Sequence, residues 1–222
     1  MNDTERIKTE ILAVGRSMLD KGLVAGTWGN ISSRIPGTKL IAVTPSGKGY
    51  HEITIADVVV VDVIGTVIEG NFKPSSELPL HLAIYNVRPD IQAIIHTHSV
   101  FASACAVAHK SIPPIIEDLV QLSGGSVDVA TYALPGTATL AQNVVLALGK
   151  KNAVLMANHG VVGCGQSLAE GMMACELVEK AAQIFIYANQ IGGAQTLNDD
   201  DIEVMHKFYV EYYSQRQQGR KV

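Results

Sequence analysis

Ala93-Ile94-Ile95-His96-Thr97-His98-Ser99 is the stretch on which the reading of this chain turns. Its apolar, β-branched start predicts a short buried strand over 93–98. Side chains on a strand alternate faces with a period of two, so His96 and His98 share a face and can share one metal ion. A third histidine, His159, follows a comparable run, Val154-Leu155-Met156-Ala157-Asn158. Three protein ligands and one open position is the usual arrangement of catalytic zinc. The competing reading is a histidine pair that merely hydrogen-bonds within the core. It loses ground because a third histidine and an acidic motif accompany the pair.

Outward from this strand, helices and strands interleave. Residues 4–23 read as a helix with Thr4 as N-cap, Ile7, Ile11, Val14 and Met18 at helical spacing, and Gly22 as its stop. Residues 30–43 read as strand, Pro36-Gly37-Thr38 turn, strand. The β-branched run 55–62 reads as a strand that returns through Ile64-Gly65 to 67–69. A helix is expected over 76–86 with Ser75 or Ser76 as cap, then small-residue and longer helices over 100–107, 137–148 and 167–188. Strands are expected over 153–157 and 161–164. Hairpins alongside interleaved helices predict an α/β fold with a mixed sheet.

Composition bounds the function. At 222 residues with 47% hydrophobic and 17% charged residues, the chain fits one domain over 1–222 with a substantial core, and a frayed polar tail over about 214–222. Net charge of −4, pI near 6.0 and few aromatic rings argue against nucleic acid as partner. Met1-Asn2-Asp3-Thr4-Glu5-Arg6 lacks the apolar core of a signal peptide, and no run is long enough for a membrane span. Cys105, Cys164 and Cys175 have no paired spacing and read as reduced. A cytoplasmic location is expected.

A second constellation is Lys73-Pro74-Ser75-Ser76-Glu77. Two hydroxyls at a helix start add donors where backbone N–H groups and the helix dipole already favour an anion such as phosphate. Glu77, one step inside, could ligate a metal or take a proton. The loops Gly26-Thr27-Trp28-Gly29-Asn30 and Thr44-Pro45-Ser46-Gly47 offer further small and hydroxyl residues, whereas no nucleotide-binding glycine pattern is present. His81, four residues beyond Glu77, reads as a structural histidine, with a supporting role beside the site as the alternative.

Taken in order, GTxGN (26–30), TPSG (44–47), PSSE (74–77), HTH (96–98) and NHG (158–160) resemble the class II aldolase/adducin family, and within it the L-fuculose-1-phosphate aldolases. The resemblance spans nearly the whole chain. It implies a three-layer α/β/α sandwich around a central mixed, largely antiparallel sheet, and a homotetramer with active sites between subunits. It also implies Zn2+, with Co2+ or Mn2+ as other divalent candidates, on His96, His98, His159 and Glu77. Glu77 resembles the ligand that leaves the metal and becomes the catalytic base. Thr27, Gly29, Asn30, Ser46, Gly47, Ser75 and Ser76 resemble the phosphate pocket, Ser46 standing where the aldolases often have threonine. The implied reaction cleaves a ketose 1-phosphate to dihydroxyacetone phosphate and an aldehyde through a metal-stabilised enediolate.

Two positions depart from, or loosen, that pattern. Glu117 stands where the fuculose-phosphate aldolases carry a tyrosine that reaches the neighbouring subunit's site; a glutamate there resembles the methylthioribulose-1-phosphate dehydratases. It is expected to shuttle a proton or to be a solvent-facing loop carboxylate. The family's C-terminal tyrosine corresponds to Tyr212 or Tyr213, with Tyr212 favoured; packing on the last helix is the other reading. Competing functions are a sugar-phosphate 4-epimerase or dehydratase of the same superfamily, and a non-catalytic adducin-like interaction domain. The retained histidines and Glu77 weigh against the last.

Overall fold

A computed structural model describes residues 2–213, so the expected frayed tail lies outside the described residues. Helix α1 (Asp3–Asp20) is capped by Asn2 rather than Thr4, because Asn2 Oδ1 accepts the Glu5 N–H at 2.8 Å. Strands β1 (Asn30–Arg34) and β2 (Ile41–Val43) pair antiparallel as expected. The strand expected over 55–62 is shorter. Its first residues form a 3-10 turn (Ile55–Asp57), and only β3 (Val59–Val61) is extended. Asp57 Oδ2 accepts from both the backbone and the hydroxyl of Thr54 at 2.7 Å and pairs with Lys48 at 2.7 Å, a local closure that overrides β propensity. β4 (Val67–Glu69) returns beside β3.

Helix α2 (Leu78–Val87) begins two residues after its expected start, and neither Ser75 nor Ser76 is its N-cap. Glu77 holds that position without capping through its own side chain, while Pro79 suits the first turn. There follow β5 (Ala93–Thr97), α3 (Val100–Val107), α4 (Glu117–Ser123), β6 (Val129–Ala130), α5 (Ala138–Leu148), β7 (Ala153–Met156) and β8 (Gly160–Gly165). The long α6 (Leu168–Gln190), α7 (Asp199–Phe208) and a π-helical turn (Tyr209–Tyr213) complete the described chain. Strand β6 has two residues, too short to carry a period in the sequence. No helix among the described residues is long and apolar enough to cross a membrane.

The eight strands form one sheet in the order β4-β3-β2-β1-β5-β8-β7-β6, antiparallel except for β6 beside β7. Helices α2 and α5 cover one face, over Val43, Val59, Ile94, Val154 and Val162. Helices α1, α3 and α6 cover the other, over Ile31, Val60, Ile95, Leu155 and Val161. This is the expected three-layer arrangement. Neighbours Ile94 and Ile95 thus enter opposite cores, and the period of two sends His96 and His98 toward the α2 side. Residue Asn30 pairs with His96, and His96 with Val162, which puts the histidine strand in the middle of the sheet.

Candidate metal centre

The expected histidines converge. Ligating nitrogens of His96, His98 and His159 all lie within 4.8 Å of one another, with ring centroids 4.6 to 5.0 Å apart. His96 and His98 come from the end of β5. His159 comes from the tight β7–β8 turn, where Asn158 adopts φ +56° and His109, itself at φ +52°, meets the Asn158 Oδ1 at 2.7 Å. Gly160 lets this turn close against β5: a Cβ there would stand 2.3 Å from the Thr97 carbonyl oxygen. Glu77, freed from capping α2, turns its carboxylate onto the histidines. Oε2 lies 3.2 Å from His96 Nε2 and Oε1 lies 3.5 Å from His159 Nε2.

Electrostatics decides what this cluster can hold. Burial, then the neighbouring His98 and His159, keeps His96 neutral well below the ordinary histidine range. Burial lowers His98 and His159 as well. His96 Nδ1 lies 2.9 Å from the Val161 carbonyl, which can only accept, so Nδ1 carries the proton and Nε2 presents its lone pair inward. That lone pair faces a carboxylate oxygen, and His98 Nε2 stands 2.7 Å from it. Buried Glu77 Oε1 and His159 Nδ1 have no hydrogen-bond partner. Electron-rich atoms converging in a buried place fit a divalent cation, and neutral imidazole is the ligating form.

A cavity of about 230 Å³ opens beside the cluster. Thr27, Gly29, Asn30, Ser46, Gly47, Ser75 and Ser76, the expected phosphate pocket, all line it together with Glu77, His98 and His159. Pro45, Pro135 and Trp28, to which sequence reasoning assigned no role, line it too, and Trp28 is not a core residue. The indole is instead largely exposed and stacks on His98 at 5.8 Å. Glu117 is not brought to this cavity within the chain. It sits exposed at the start of α4, beside a separate cleft with Asp118 and Lys180. Tyr212 is likewise apart, exposed and stacked on Phe208 at 5.6 Å.

Beneath the cluster lies a buried polar chain that the sequence reading did not assemble. Asn30 Nδ2 donates to Glu77 Oε2 at 2.9 Å, and Asn30 Oδ1 meets His81 Nε2 at 2.5 Å. On the other side of the ring, His81 Nδ1 lies 2.6 Å from Ser32 Oγ, which lies 2.9 Å from the Tyr85 hydroxyl. The available signal was periodicity: Asn30 and Ser32 share a strand face, and Glu77, His81 and Tyr85 recur every four residues along one helix face.

A chain that gathers three neutral histidines and a carboxylate at a strand end, beside a cavity of hydroxyls and glycines, can hold a metal ion next to a small polar molecule. The Class II Aldolase and Adducin N-terminal domain family matches residues 9–186, and the chain belongs to that family. It is 36% identical to the 5-deoxy-D-ribulose 1-phosphate aldolase of Bacillus thuringiensis over 95% of this chain and 99% of that one. To the L-fuculose phosphate aldolase of Escherichia coli it is 33% identical, over 95% and 97%. A solved structure of an L-fuculose 1-phosphate aldolase superposes with a TM-score of 0.89 at 36% identity, covering 92% of this chain and 96% of the other. The protein is thus a metal-dependent, class II aldolase, a carbon–carbon lyase.

Proposed function

We propose that this enzyme cleaves a ketose 1-phosphate of the L-fuculose-1-phosphate type to dihydroxyacetone phosphate and an aldehyde. The observation that carries the reading is the cavity with two unlike ends: a histidine–carboxylate cluster at one, hydroxyls and glycine backbone at the other. His96, His98, His159 and Glu77 would hold the metal, with Zn2+ favoured by an all-nitrogen triad. When bound, the ion supplies positive charge that polarises the ketone and stabilises the charge left as the C3–C4 bond breaks.

The chain's own residues do the remaining work. Ser75, Ser76, Thr27 and Ser46 donate hydroxyls to the phosphate, and Gly29 and Gly47 let backbone approach it closely, which fixes the sugar's orientation. Glu77 delivers a proton to C3 as the bond opens and removes it in the reverse addition. The C4 hydroxyl passes its proton to the Glu117 carboxylate as the aldehyde carbonyl forms, which balances the proton that Glu77 gives to C3. Glu117 and Tyr212, exposed in the single chain, act from a neighbouring subunit of a homotetramer, Glu117 as proton shuttle. The buried thiols of Cys105, Cys164 and Cys175 suit work in the cytoplasm.

The test couples metal analysis to product detection over a panel of ketose 1-phosphates, both 5-deoxy and fully hydroxylated. Stoichiometric divalent metal with release of dihydroxyacetone phosphate and aldehyde supports the reading. Metal-free protein that gains no activity from zinc, cobalt or manganese overturns it, and epimerised or dehydrated product assigns the site to the other chemistries of the superfamily.

A further inference from the structure

We propose that His81 is a positioning residue whose Nε2–H tautomer locks the Asn30 amide, so that Asn30 always presents its N–H, never its oxygen, to Glu77. The links that join Glu77, Asn30 and His81 have only one consistent direction. Glu77 Oε2 accepts from Asn30 Nδ2 at 2.9 Å, which leaves Asn30 Oδ1 facing His81 Nε2 at 2.5 Å. An amide oxygen only accepts, so His81 must donate from Nε2. In the neutral ring Nδ1 is then a lone pair and takes the single hydroxyl proton of Ser32 at 2.6 Å. Ser32 Oγ in turn accepts from the Tyr85 hydroxyl at 2.9 Å. All five residues are buried, and no water is needed to complete the set.

A side-chain amide can rotate end for end, and rotation of Asn30 would set its oxygen against the Glu77 carboxylate. What prevents that is a donor beneath it. His81 is fully buried and held neutral, so it offers one proton and one lone pair, in fixed places. The backbone adds to the rigidity: His81 and Glu77 share a helical turn, and Asn30 pairs with His96 across the strands. One side of the carboxylate that meets the candidate metal ligands is thereby anchored to the middle of the sheet. Groups that orient a ligand from behind typically change metal affinity or activity by 10–100-fold when removed.

The effect on turnover rests on the aldolase mechanism proposed above; the tautomer and the metal affinity do not. Nitrogen-15 histidine NMR of the wild-type protein, with and without zinc, is expected to show the Nε2–H tautomer at His81 at neutral pH, the resonance assigned by its loss in His81→Gln. An Nδ1–H tautomer overturns the proposal, whatever the substrate. In His81→Gln the side-chain amide nitrogen replaces the Nε2 donor, so zinc affinity and kcat are expected within about threefold of wild type. His81→Leu removes the donor and is expected to lose roughly 10–100-fold in zinc affinity and kcat with a smaller change in KM, since Asn30 is the one member of the expected phosphate pocket that it disturbs. Equal losses in the two variants, or none in either, overturn the proposal. Should His81→Leu not fold, Asn30→Asp, which replaces the donor facing Glu77 with an acceptor, is expected to show the same loss. Unchanged zinc affinity in Asn30→Asp would overturn it too. If no ketose phosphate is cleaved, the aldolase substrate reading falls while the tautomer and zinc measurements still decide the role of His81.

Discussion

Replacing Gly160 with alanine adds one carbon at the point where the β7–β8 turn meets the histidine strand. The new Cβ would stand 2.3 Å from the Thr97 carbonyl oxygen, 3.0 Å from His98 Cδ2 and 3.2 Å from His96 Cε1. Ordinary contact to these atoms needs about 3.4 Å or more, so the backbones of β5 and β8 must part by on the order of 1 Å. Neither can retreat freely, because β5 is paired on both sides and both strands are buried. Overpacking of this kind costs about 1–3 kcal/mol, and a ligand shifted by about 1 Å costs roughly 100-fold in turnover. The variant should melt several degrees lower and bind zinc at least tenfold more weakly than wild type, by differential scanning calorimetry and chelator competition. Unchanged zinc affinity in a folded Gly160→Ala protein would refute the idea that close strand packing seats His96 and His98.

Four further outcomes are expected. Glu77→Gln should abolish proton exchange at C3 of dihydroxyacetone phosphate while metal analysis still finds the ion; persisting exchange would remove Glu77 from the role of base. Paired Ser75→Ala and Ser76→Ala substitutions should raise KM for a phosphorylated ketose at least tenfold with smaller loss in kcat, since they remove donors from the expected phosphate end. His109→Ala frees Asn158 in its left-handed turn and should weaken zinc binding a few fold without unfolding the protein, read by the same competition assay. Metal-free protein should lose stability as pH falls below about 6.5. The unfolded chain takes up protons that His81, His96, His98 and His159, all with lowered values, refuse when folded. By pH 5, His81 alone, held at about 3, accounts for about 2 kcal/mol of that loss, and urea titrations at pH 7.5 and 5 measure it.

What could be read before the structure was whatever depends on short-range order. The shared face of His96 and His98 follows from strand alternation, and the serine–glutamate motif announces a helix start. Lost were features set by contacts between distant segments. Ser75 and Ser76 look like caps, yet Glu77 takes the cap position with its carboxylate turned to His96 on β5 and His159 in the β7–β8 turn. Likewise the link from Ser32 to His81 exists only because β1 lies under α2, a neighbourhood no window of sequence reports. Residues 55–57 turned rather than extended for a more local reason, since Asp57 gathers both Thr54 and Lys48. Glu117 and Tyr212 illustrate a third case: both are exposed in the single chain, and the role proposed for them needs a neighbouring subunit that one sequence does not display.

The position of His96, hydrogen-bonded through its strand to β1 on one side and β8 on the other, has a thermodynamic consequence. Segments near residues 29, 76, 97 and 159 meet at one point in the central sheet, and the unfolded chain cannot reproduce that geometry. An ion bound there favours the native state by RT ln(1 + [M]/Kd), about 2.7 kcal/mol at a hundred times Kd. Melting temperature therefore becomes a gauge of occupancy. Ranking divalent ions by thermal shift would reveal which one this cluster selects before any substrate is known.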